Sequence, residues 1–403
     1  MSLKTIECVS AHDCSGCGLC SQICPHGCIS MQADKEGFLV PVINAEQCVE
    51  CGLCLKKCPT INENNALVHS EKRKYFCASI SDKEILIRSS SGGVFGILAE
   101  HFLEHGGYVC GCVYNKNMEA EHIVSNAFED VLRMYGSKYV QSRAYGCFDE
   151  IKALLGENVS VLFVGTACQV AALRVFLGKE YDSLLCVEIL CHGVPSPALF
   201  ADYVRFLEKK LRGRVVDIRF REKEKRGWGS EHRTCVVYEK KGVLKKYYPF
   251  LPAYFSSFFY GLNLRESCYK CRFAKPQRIA DMTIGDFWGF WAKYGRRFEE
   301  GISVVGVNSE KGGVFAEILK GKLEFYDQLT ANEAIKSNDN FEHPVKRPPE
   351  RTEFYGFFSK AGYEGVWKKT YFTRTYKRKT LASVYGAVVP AKIRFALRSI
   401  RKL

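Results

Sequence analysis

Two similar cysteine runs lie close together near the N-terminus: Cys14-Ser-Gly-Cys17-Gly-Leu-Cys20-Ser-Gln-Ile-Cys24-Pro25 and Cys48-Val-Glu-Cys51-Gly-Leu-Cys54-Leu-Lys-Lys-Cys58-Pro59. Each run has the C-x2-C-x2-C-x3-C-P spacing that binds cubane iron–sulfur clusters, with the fourth cysteine crossing to the other cluster. The spacing therefore predicts two [4Fe-4S] clusters with interlocked ligands. The predicted ligands are Cys14, Cys17, Cys20 and Cys58 for cluster I, and Cys48, Cys51, Cys54 and Cys24 for cluster II.

Zinc and disulfides are the alternative uses of such cysteines. Structural zinc sites usually take separated pairs that complete one tetrahedron, and two interlocked runs of four exceed that need. The chain has 20 cysteines among 403 residues, which fits thiolate ligation in a reducing compartment better than a disulfide scaffold. Residues 1–13 lack the apolar core of a signal peptide, and no run approaches about 18 consecutive apolar residues. We therefore expect a cytoplasmic protein without a spanning helix.

The charge is unevenly distributed along the chain. The net charge is +14, yet residues 1–60 carry four lysines against six carboxylates, whereas residues 346–403 carry fifteen Lys or Arg against three Glu. No nucleic-acid-binding motif accompanies the basic excess, so we predict no nucleic-acid partner. Residues 376–403 alternate basic and apolar side chains as an interfacial helix does, which predicts contact with an acidic surface such as an anionic membrane. A basic helix packed on the protein itself is the alternative, and Pro390 would interrupt a continuous helix.

Strands and helices alternate beyond the polar residues 63–75, which we interpret as a linker. Predicted strands cover residues 108–114, 122–124, 159–164 and 184–190, and predicted helices cover 94–107, 145–155, 170–177 and 197–211. This order predicts an α/β domain with a largely parallel sheet. Residues 215–220, 234–238 and 243–248 predict an inserted group of antiparallel strands. The fold class is therefore α/β, with a ferredoxin-like module at the N-terminus.

Two polar clusters are candidates for binding an anion. Ser89-Ser-Ser-Gly-Gly93 precedes a helix, whose dipole and free N–H groups favour negative charge, although serine before a helix is more often an N-cap. Gly136-Ser-Lys138-Tyr139-Val-Gln141-Ser142 offers Lys138 to a phosphate or a flavin carbonyl. An ordinary exposed loop is the alternative for this second cluster.

Four further cysteines are candidates for a third cluster. Cys168 and Cys191 each follow a predicted core strand, and parallel strands end at one edge of a sheet, where ligands bind. Cys268-x2-Cys271 supplies two ligands on one loop, so the four thiolates satisfy a cubane, with zinc as the alternative. Cysteines without ligand spacing are interpreted as structural: Cys8, Cys28, Cys77, Cys110, Cys112, Cys147, Cys186 and Cys235.

A family resemblance rests on motifs that occur in a fixed order. GVFGILA after Ser-Gly, GSKYVQS, VLFVGTACQ, ILCHGVPSP, SCYKC and the run 281–289 together resemble the coenzyme F-420 hydrogenase/dehydrogenase beta-subunit family. The cysteine runs resemble a bacterial-type two-cluster ferredoxin. The beta-subunit resemblance implies an α/β domain that binds FAD and a [4Fe-4S] cluster, and it supports the same four cysteines for the third cluster. The FAD contacts that it implies are Ser90, Ser91, Gly92, Gly93, Lys138, Tyr139, Gln141, Ser142 and Thr166.

The resemblance also implies a function. Members of the family move electrons between iron–sulfur clusters and a second redox partner, which is a deazaflavin in several members and a chlorophyll derivative in another. This chain carries its own ferredoxin and has His192 after Cys191, so the deazaflavin is not assigned as its acceptor. We expect an electron-donor protein or partner subunit and a small-molecule acceptor. A non-catalytic electron-transfer subunit and a regulatory iron–sulfur sensor are the alternatives.

His192 is predicted to be catalytic, as a proton donor near the flavin, because imidazole titrates near neutral pH. A histidine that only hydrogen-bonds a cluster sulfide or a backbone carbonyl is the alternative. The predicted domains are a ferredoxin module over 1–62, a linker over 63–75, a FAD-binding α/β part over 76–214, a second part with third-cluster ligands over 215–345, and a basic tail over 346–403.

Overall fold

The computed structural model describes residues 5–62, 73–224, 227–228, 234–249, 253–295 and 299–372. These ranges contain a small N-terminal module with one β-hairpin, a large mixed sheet with helices on both faces, and a separate three-stranded sheet. Most of the predicted linker and all of the segment 376–403, predicted to contact an acidic surface, lie outside the described residues. Within the described ranges, no helix is long and apolar enough to cross a membrane.

The strands alternate with helices through most of the chain after residue 73. In chain order the strands are β1 (Ile29–Ala33), β2 (Leu39–Ile43), β3 (Lys74–Ile80), β4 (Tyr108–Tyr114), β5 (Ala120–Ser125), β6 (Val161–Thr166), β7 (Leu184–Ile189), β8 (Arg214–Arg219), β9 (Cys235–Lys240), β10 (Val243–Tyr247), β11 (Met282–Asp286), β12 (Ser303–Val307) and β13 (Leu323–Leu329). The helices are α1 (Leu19–Gln22), α2 (Leu53–Lys56), α3 (Lys83–Arg88), α4 (Val94–Glu104), α5 (Phe128–Met134), α6 (Phe148–Gly156), α7 (Ala167–Leu177), α8 (Pro197–Leu211), α9 (Ala253–Phe259), α10 (Phe290–Tyr294), α11 (Glu310–Lys320), α12 (Ala331–Ser337) and α13 (Arg351–Phe372).

The large sheet has the strand order β13-β3-β12-β11-β7-β6-β4-β5. Its four middle strands, β11, β7, β6 and β4, are parallel to one another, with Thr283 opposite Glu188 and Phe163 opposite Cys186. Antiparallel strands extend the sheet on both sides, β12, β3 and β13 on one and β5 on the other. The predicted α/β fold with a largely parallel core is confirmed. The predicted antiparallel insertion is confirmed as the sheet β10-β9-β8.

Helices cover both faces of this sheet because its strands are apolar on both sides. Leu162 belongs to the core that includes Ile97 of α4, whereas the next residue, Phe163, belongs to the core that includes Val170 of α7. Successive side chains of a strand point to opposite faces, so α4 and α7 lie on opposite faces. Such double coverage is characteristic of parallel strands and leaves only the strand ends accessible.

The N-terminal module resembles a small ferredoxin in its local structure. Its two short helices, α1 and α2, each follow a glycine in the left-handed conformation, Gly18 with φ 75° and Gly52 with φ 73°. Residues that carry a side chain rarely adopt this backbone conformation, so glycine suits the tight turn inside each cysteine run. Gly18 also lies against the α/β domain, because a Cβ there would come within 2.0 Å of the Tyr145 ring.

The module packs directly on the α/β domain. Leu19 of α1 is 1% exposed and belongs to the same apolar core as Val170. Arg265, also 1% exposed, donates hydrogen bonds to the carbonyl oxygens of Cys14 (2.6 Å) and Leu39 (3.0 Å). One buried side chain of the α/β domain therefore holds both the first cysteine run and the hairpin of the N-terminal module.

The described part of the predicted basic tail also contacts this module. Helix α13 begins at Arg351, whose guanidinium donates to both carboxylate oxygens of Glu36 (2.8 and 2.5 Å) and to the Leu264 carbonyl (3.0 Å). Arg351 is 1% exposed. Fork-to-fork pairs of this kind fix orientation as well as adding energy. The start of α13 therefore holds the N-terminal module from a second side.

Candidate redox site

A cavity of about 330 Å³ lies at the carboxyl ends of the parallel strands, and we call it cavity A. Its walls include Thr166 at the end of β6, Ile189 at the end of β7 and Asp286 at the end of β11. Ligands of open α/β sheets bind outside the carboxyl ends of the strands, and ligand pockets span about 300–1,000 Å³. The position and size of cavity A are therefore those of a cofactor or substrate site.

The two predicted polar clusters meet at one wall of cavity A. The backbone N–H and the hydroxyl of Ser137 both donate to Ser90 Oγ, at 2.8 and 3.0 Å. Ser91 donates to the carbonyl of Ile302 at 2.7 Å, which connects the serine–glycine run 89–93 to the residue before β12. Helix α4 then begins after Gly93. The folded chain thus joins two segments about 47 residues apart into one polar wall beside a helix N-terminus.

Seven of the nine predicted FAD contacts line cavity A, and two lie elsewhere. Gln141 donates to the carbonyls of Ser15 (3.2 Å) and Gly16 (3.3 Å) in the first cysteine run, and it accepts from Arg265 (2.9 Å). The side chain of Gln141 therefore contacts the N-terminal module and Arg265. Gly92 is packed against the sheet, because a Cβ there would lie 2.2 Å from the Ala78 carbonyl. The seven that line the cavity are Ser90, Ser91, Gly93, Lys138, Tyr139, Ser142 and Thr166.

The glycine at the start of α4 is required by protein packing. Gly93 has φ 85°, and a Cβ there would lie 2.4 Å from Ile80 Cδ1. The family resemblance implies Gly93 only as a FAD contact. Both its left-handed backbone and its contact with Ile80 explain the glycine without any ligand.

Lys138 and Lys223 bring cations to the Ser90–Ser137 wall. The Lys138 ammonium donates to the carbonyls of Arg133 (2.7 Å) and Tyr135 (2.8 Å), and burial lowers its pKa to about 8. Lys223 is 2% exposed and donates to the carbonyls of Leu86, Ser91 and Glu300 at 2.6–2.8 Å. Burial lowers the pKa of Lys223 to about 7. Through the Ser91 carbonyl, Lys223 therefore stabilises the serine–glycine run 89–93, which we call the serine loop.

An ion pair bordered by tryptophans forms another wall of cavity A. Arg221 is 7% exposed and donates to both carboxylate oxygens of Asp286, at 3.1 and 3.3 Å. Its guanidinium lies 4.7 Å from the centre of the Trp288 ring, which stacks on Trp228 at 5.0 Å. Trp228 donates to Asp286 at 3.2 Å. Trp288 remains 44% exposed, so an aromatic surface is available at the mouth of the cavity.

His122 is a polar residue of cavity A that the sequence did not identify. It is 6% exposed and lies on β5, and its Nε2 is 3.0 Å from the Val164 carbonyl oxygen. Its Nδ1 is buried and has no hydrogen-bond partner among the described residues. Burial lowers the pKa of His122 to about 4. The ring is therefore neutral near neutral pH.

A second cavity of about 300 Å³, cavity B, gathers the four cysteines predicted for the third cluster. All four line it, although they come from α7, the end of β7 and the loop before β11. Burial, together with neighbouring thiols of the group, raises the pKa of the Cys168 and Cys268 thiols to about 12. Burial and the same neighbours raise the pKa of Cys191. Topology thus brings together four thiols that are up to about a hundred residues apart.

The described residues contain no group of three or more His, Cys, Asp or Glu side chains close enough to share a single metal ion. A cubane does not require such a group, since its four cysteines bind a cluster of four irons rather than one ion.

A buried ion pair lies beside cavity B, where Arg278 donates to Glu188 and to the carbonyls of Phe273 and Lys275 (both 3.1 Å). Thr283 donates to the same carboxylate at 2.7 Å.

Cavities A and B share one wall. Both are lined by Thr166 and by the loop that runs from Cys191 through His192 to Val194. Thr166 Oγ1 lies 3.1 Å from Cys168 Sγ. His192 has a buried Nε2 without a partner among the described residues, and burial lowers its pKa. The predicted catalytic histidine is therefore placed between the two cavities.

The N-terminal module closes the opposite side of cavity B. Asp13, Ser15 and Thr60 of the module line it, together with Cys8. Burial raises the pKa of the Cys17 thiol to about 12, and Cys168 of cavity B is among the neighbours that contribute. Cys17, a predicted cluster I ligand, therefore lies near Cys168.

The predicted cluster II ligands differ in exposure, and Cys54 is buried. Cys51 is exposed and Cys48 is half-buried. Cys24 Sγ lies 3.4 Å from the buried thiol of Cys28, a residue that the sequence left as structural. No local spacing marked Cys28, so only the folded structure identifies it as a neighbour of a ligand.

Comparison with known proteins agrees with this architecture. Residues 159–328 match the family described as the carboxyl terminus of the coenzyme F420 hydrogenase/dehydrogenase beta subunit, and residues 13–62 match the 4Fe-4S dicluster domain. The chain contains the carboxyl-terminal domain of this beta-subunit family and an N-terminal dicluster domain. The resemblance inferred from the motifs is thereby confirmed, as are two [4Fe-4S] clusters in the dicluster domain.

Two curated relatives are similar over long stretches. The coenzyme F420-dependent sulfite reductase of Methanocaldococcus jannaschii is 25% identical over 385 residues, covering 92% of this chain and 57% of that protein. One of the subunits of the F(420)H(2) dehydrogenase of Methanosarcina mazei is 27% identical over 216 residues, covering 48% of this chain and 59% of that protein. The chain thus spans less than two thirds of either relative.

One solved structure is similar in part. A chain of the F420-reducing [NiFe] hydrogenase complex from Methanosarcina barkeri aligns with a TM-score of 0.41 and 16% identity, over 78% of this chain and 96% of that chain.

The beta-subunit domain and the dicluster domain divide the predicted ligands between them. The four cysteines of cavity B all fall within residues 159–328, and the eight ligands predicted for clusters I and II all fall within 13–62. The Ser90–Ser137 wall and His122 precede the matched beta-subunit domain. Cavity A is therefore completed by residues on both sides of position 159.

Proposed function

We propose that this protein is a FAD- and iron–sulfur-dependent oxidoreductase that passes electrons between ferredoxin-type clusters and an organic acceptor. FAD is assigned to cavity A and a third [4Fe-4S] cluster to cavity B. One observation carries the proposal: cavity B touches the dicluster domain on one side and shares a wall with cavity A on the other. The two cofactor sites and the dicluster domain thus form one uninterrupted series.

The residues of cavity B fit a cubane. Cys168, Cys191, Cys268 and Cys271 supply four thiols, the full ligand set of a [4Fe-4S] cluster. Burial holds these thiols neutral in the absence of a cation, and a metal that binds thiolates reverses that preference. The Thr166 hydroxyl lies 3.1 Å from Cys168 Sγ, where it can donate to the thiolate and tune the potential of the cluster.

The residues of cavity A fit a flavin nucleotide. The Ser90–Ser137 wall stands beside the N-terminus of α4, and Lys138 adds a half-buried cation, which together suit a phosphate. Apolar rings line the rest of the cavity, including Phe255 and Phe258, and suit a planar ring system. When bound, the flavin and the clusters supply the electron-transfer chemistry, while the protein supplies binding, orientation and electrostatics.

The chain's own residues arrange the site. Lys223 fixes the serine loop through three carbonyl oxygens, and the Arg221–Asp286 pair holds Trp288 at the cavity mouth. The loop 191–194 is tightly packed in the wall between the cavities, because Gly193 lies against Leu264 and leaves no room for a Cβ. His192 stays the predicted proton donor, and Ile189, Phe259 and Trp288, which are 38–46% exposed, offer an apolar rim to the acceptor.

The names of the curated relatives favour a deazaflavin as the redox substrate of cavity A. A different small organic acceptor remains the second choice, because the chain has its own dicluster domain.

An electron-transfer subunit that serves a partner enzyme is the alternative function. It is favoured by the extent of the matches, since the chain spans 57–59% of the relatives' lengths. Turnover of the isolated chain on a small acceptor supports the first function, and activity only with an added partner supports the second.

Metal and flavin analysis of anaerobically purified protein tests the proposal. Three cubanes require about twelve irons per chain, and the variant Cys268→Ser/Cys271→Ser should hold about eight. Cys8→Ser is the matched control, because Cys8 lines the same cavity but is not an assigned ligand. A wild-type protein with about eight irons, with zinc at cavity B, or without bound FAD after reconstitution contradicts the proposal.

A further inference from the structure

His122 lines cavity A and has one ring nitrogen that no described residue hydrogen-bonds. A carbonyl oxygen only accepts hydrogen bonds, so the Nε2 that lies 3.0 Å from the Val164 carbonyl must carry the ring hydrogen. Nδ1 is then the unprotonated nitrogen, with a lone pair. It is buried without a partner among the described residues, in a residue that is 6% exposed and lines the cavity.

A buried acceptor left unpaired is costly, and native proteins pair nearly all of them. The surroundings of His122 offer no substitute. Its ring stacks on Phe163 with centres 5.8 Å apart, and the nearby Lys138 ammonium donates to the carbonyls of Arg133 and Tyr135. The ring is thus held on two sides, and protonation is disfavoured because burial lowers the pKa of His122 to about 4.

We infer that Nδ1 of His122 accepts a hydrogen bond from an N–H or O–H group of the flavin nucleotide in cavity A. Such donors are present on the flavin ring, on the ribityl chain and on the adenosine half of FAD. The inference rests on the proposed function and adds to it a binding residue from β5. This residue lies outside both polar clusters and outside the matched beta-subunit domain.

Two substitutions separate binding from a purely structural role. Asparagine carries its amide near the position of Nδ1 and cannot reach Val164, whereas glutamine reaches the position of Nε2 and leaves the Nδ1 position without an acceptor. The inference predicts that His122→Gln weakens FAD binding by about tenfold, the effect of one lost hydrogen bond. His122→Asn should bind FAD within about threefold of wild type. A purely structural role of the Val164 bond predicts the opposite ranking, with Asn the more damaging change.

The measurement is FAD titration of flavin-free, iron-loaded full-length protein, followed by flavin fluorescence, with the thermal midpoint of each flavin-free variant recorded in parallel. His105→Gln is the control, since His105 is exposed and lines neither cavity. If His122→Gln binds FAD as wild type does, the inference is overturned and the proposed function stands. If the wild type itself binds no FAD, the proposed function fails and this inference fails with it.

Discussion

Replacing Arg265 by leucine should detach the dicluster domain from the α/β domain. The guanidinium donates to the carbonyls of Cys14 (2.6 Å) and Leu39 (3.0 Å) and to Gln141 Oε1 (2.9 Å), and the residue is 1% exposed. A hydrogen bond from a charged group contributes about 1.5–3 kcal/mol net. Leucine keeps part of the packing on Phe38, and the freed carbonyls regain water when the domains separate. We therefore expect a loss of about 3–5 kcal/mol in docking free energy, which is at least a hundredfold.

Hydrogen–deuterium exchange of anaerobically prepared protein measures this loss, because exchange reports the free energy of local opening. In Arg265→Leu, the amides of residues 14–22 and 39–43 should exchange about a hundredfold faster, while those of α4 serve as an internal reference. Arg205→Leu is the matched control, since Arg205 is exposed and, among the residues that the structure describes, pairs only with Asp202 three residues away. Unchanged exchange at residues 14–22 in fully iron-loaded Arg265→Leu protein would refute the assigned role of Arg265.

Three further predictions follow from single contacts. Arg351→Leu should lower stability by about 3 kcal/mol, read from chemical unfolding, because it leaves Glu36 without its bidentate partner; an unchanged midpoint contradicts this. Gly93→Ala should cost about 1–3 kcal/mol because of its φ of 85° and the Ile80 contact, and the fall in thermal midpoint that it causes should be smaller when Gly93→Ala is added to Ile80→Ala than when it is added to wild type. Burial lowers the pKa of His122 to about 4, below its ordinary value of about 6.5. The unfolded chain therefore takes up this proton first, so stability is lost as pH falls from about 6.5 to 4, by roughly 3 kcal/mol in all. The thermal midpoint of His122→Gln should accordingly fall less steeply over that range than that of wild type.

Patterns of short range predicted much of the fold. Strand β4 and helix α8 have the predicted limits, because an apolar β-branched run and a Ser-Pro helix start are local signals. Strand β6 begins at Val161, two residues later than predicted, and ends at Thr166, where a capping box with Gln169 starts α7. The four cysteines predicted for the third cluster line one cavity, and the end of a parallel strand was the positional signal for Cys168 and Cys191.

Residues that act over long range gave no such signal. Lys223 binds carbonyls at positions 86, 91 and 300, and Arg221 pairs with a carboxylate 65 residues away. A lone basic residue in a polar segment is usually a solvated one, so neither was singled out. His122 lies in a predicted strand. Its Nδ1 lacks a partner among the described residues because the other ring nitrogen, Nε2, donates to Val164 of β6, and the sequence does not predict that contact. Gln141 illustrates the reverse case: it lies in a correctly identified loop but contacts the dicluster domain.

The docking of the dicluster domain changes the argument for a third cluster. With a polar linker as the only connection, a third cluster would have to bridge an undefined distance between the dicluster domain and the flavin. The structure instead places Cys17 near Cys168, while Cys51 is exposed. In the proposed series, cluster I therefore lies next to cavity B, and cluster II has an exposed ligand. Under that proposal we expect a redox partner to meet the chain at cluster II, and Arg265 and Arg351 hold the domain in place by binding it at Cys14, Leu39 and Glu36.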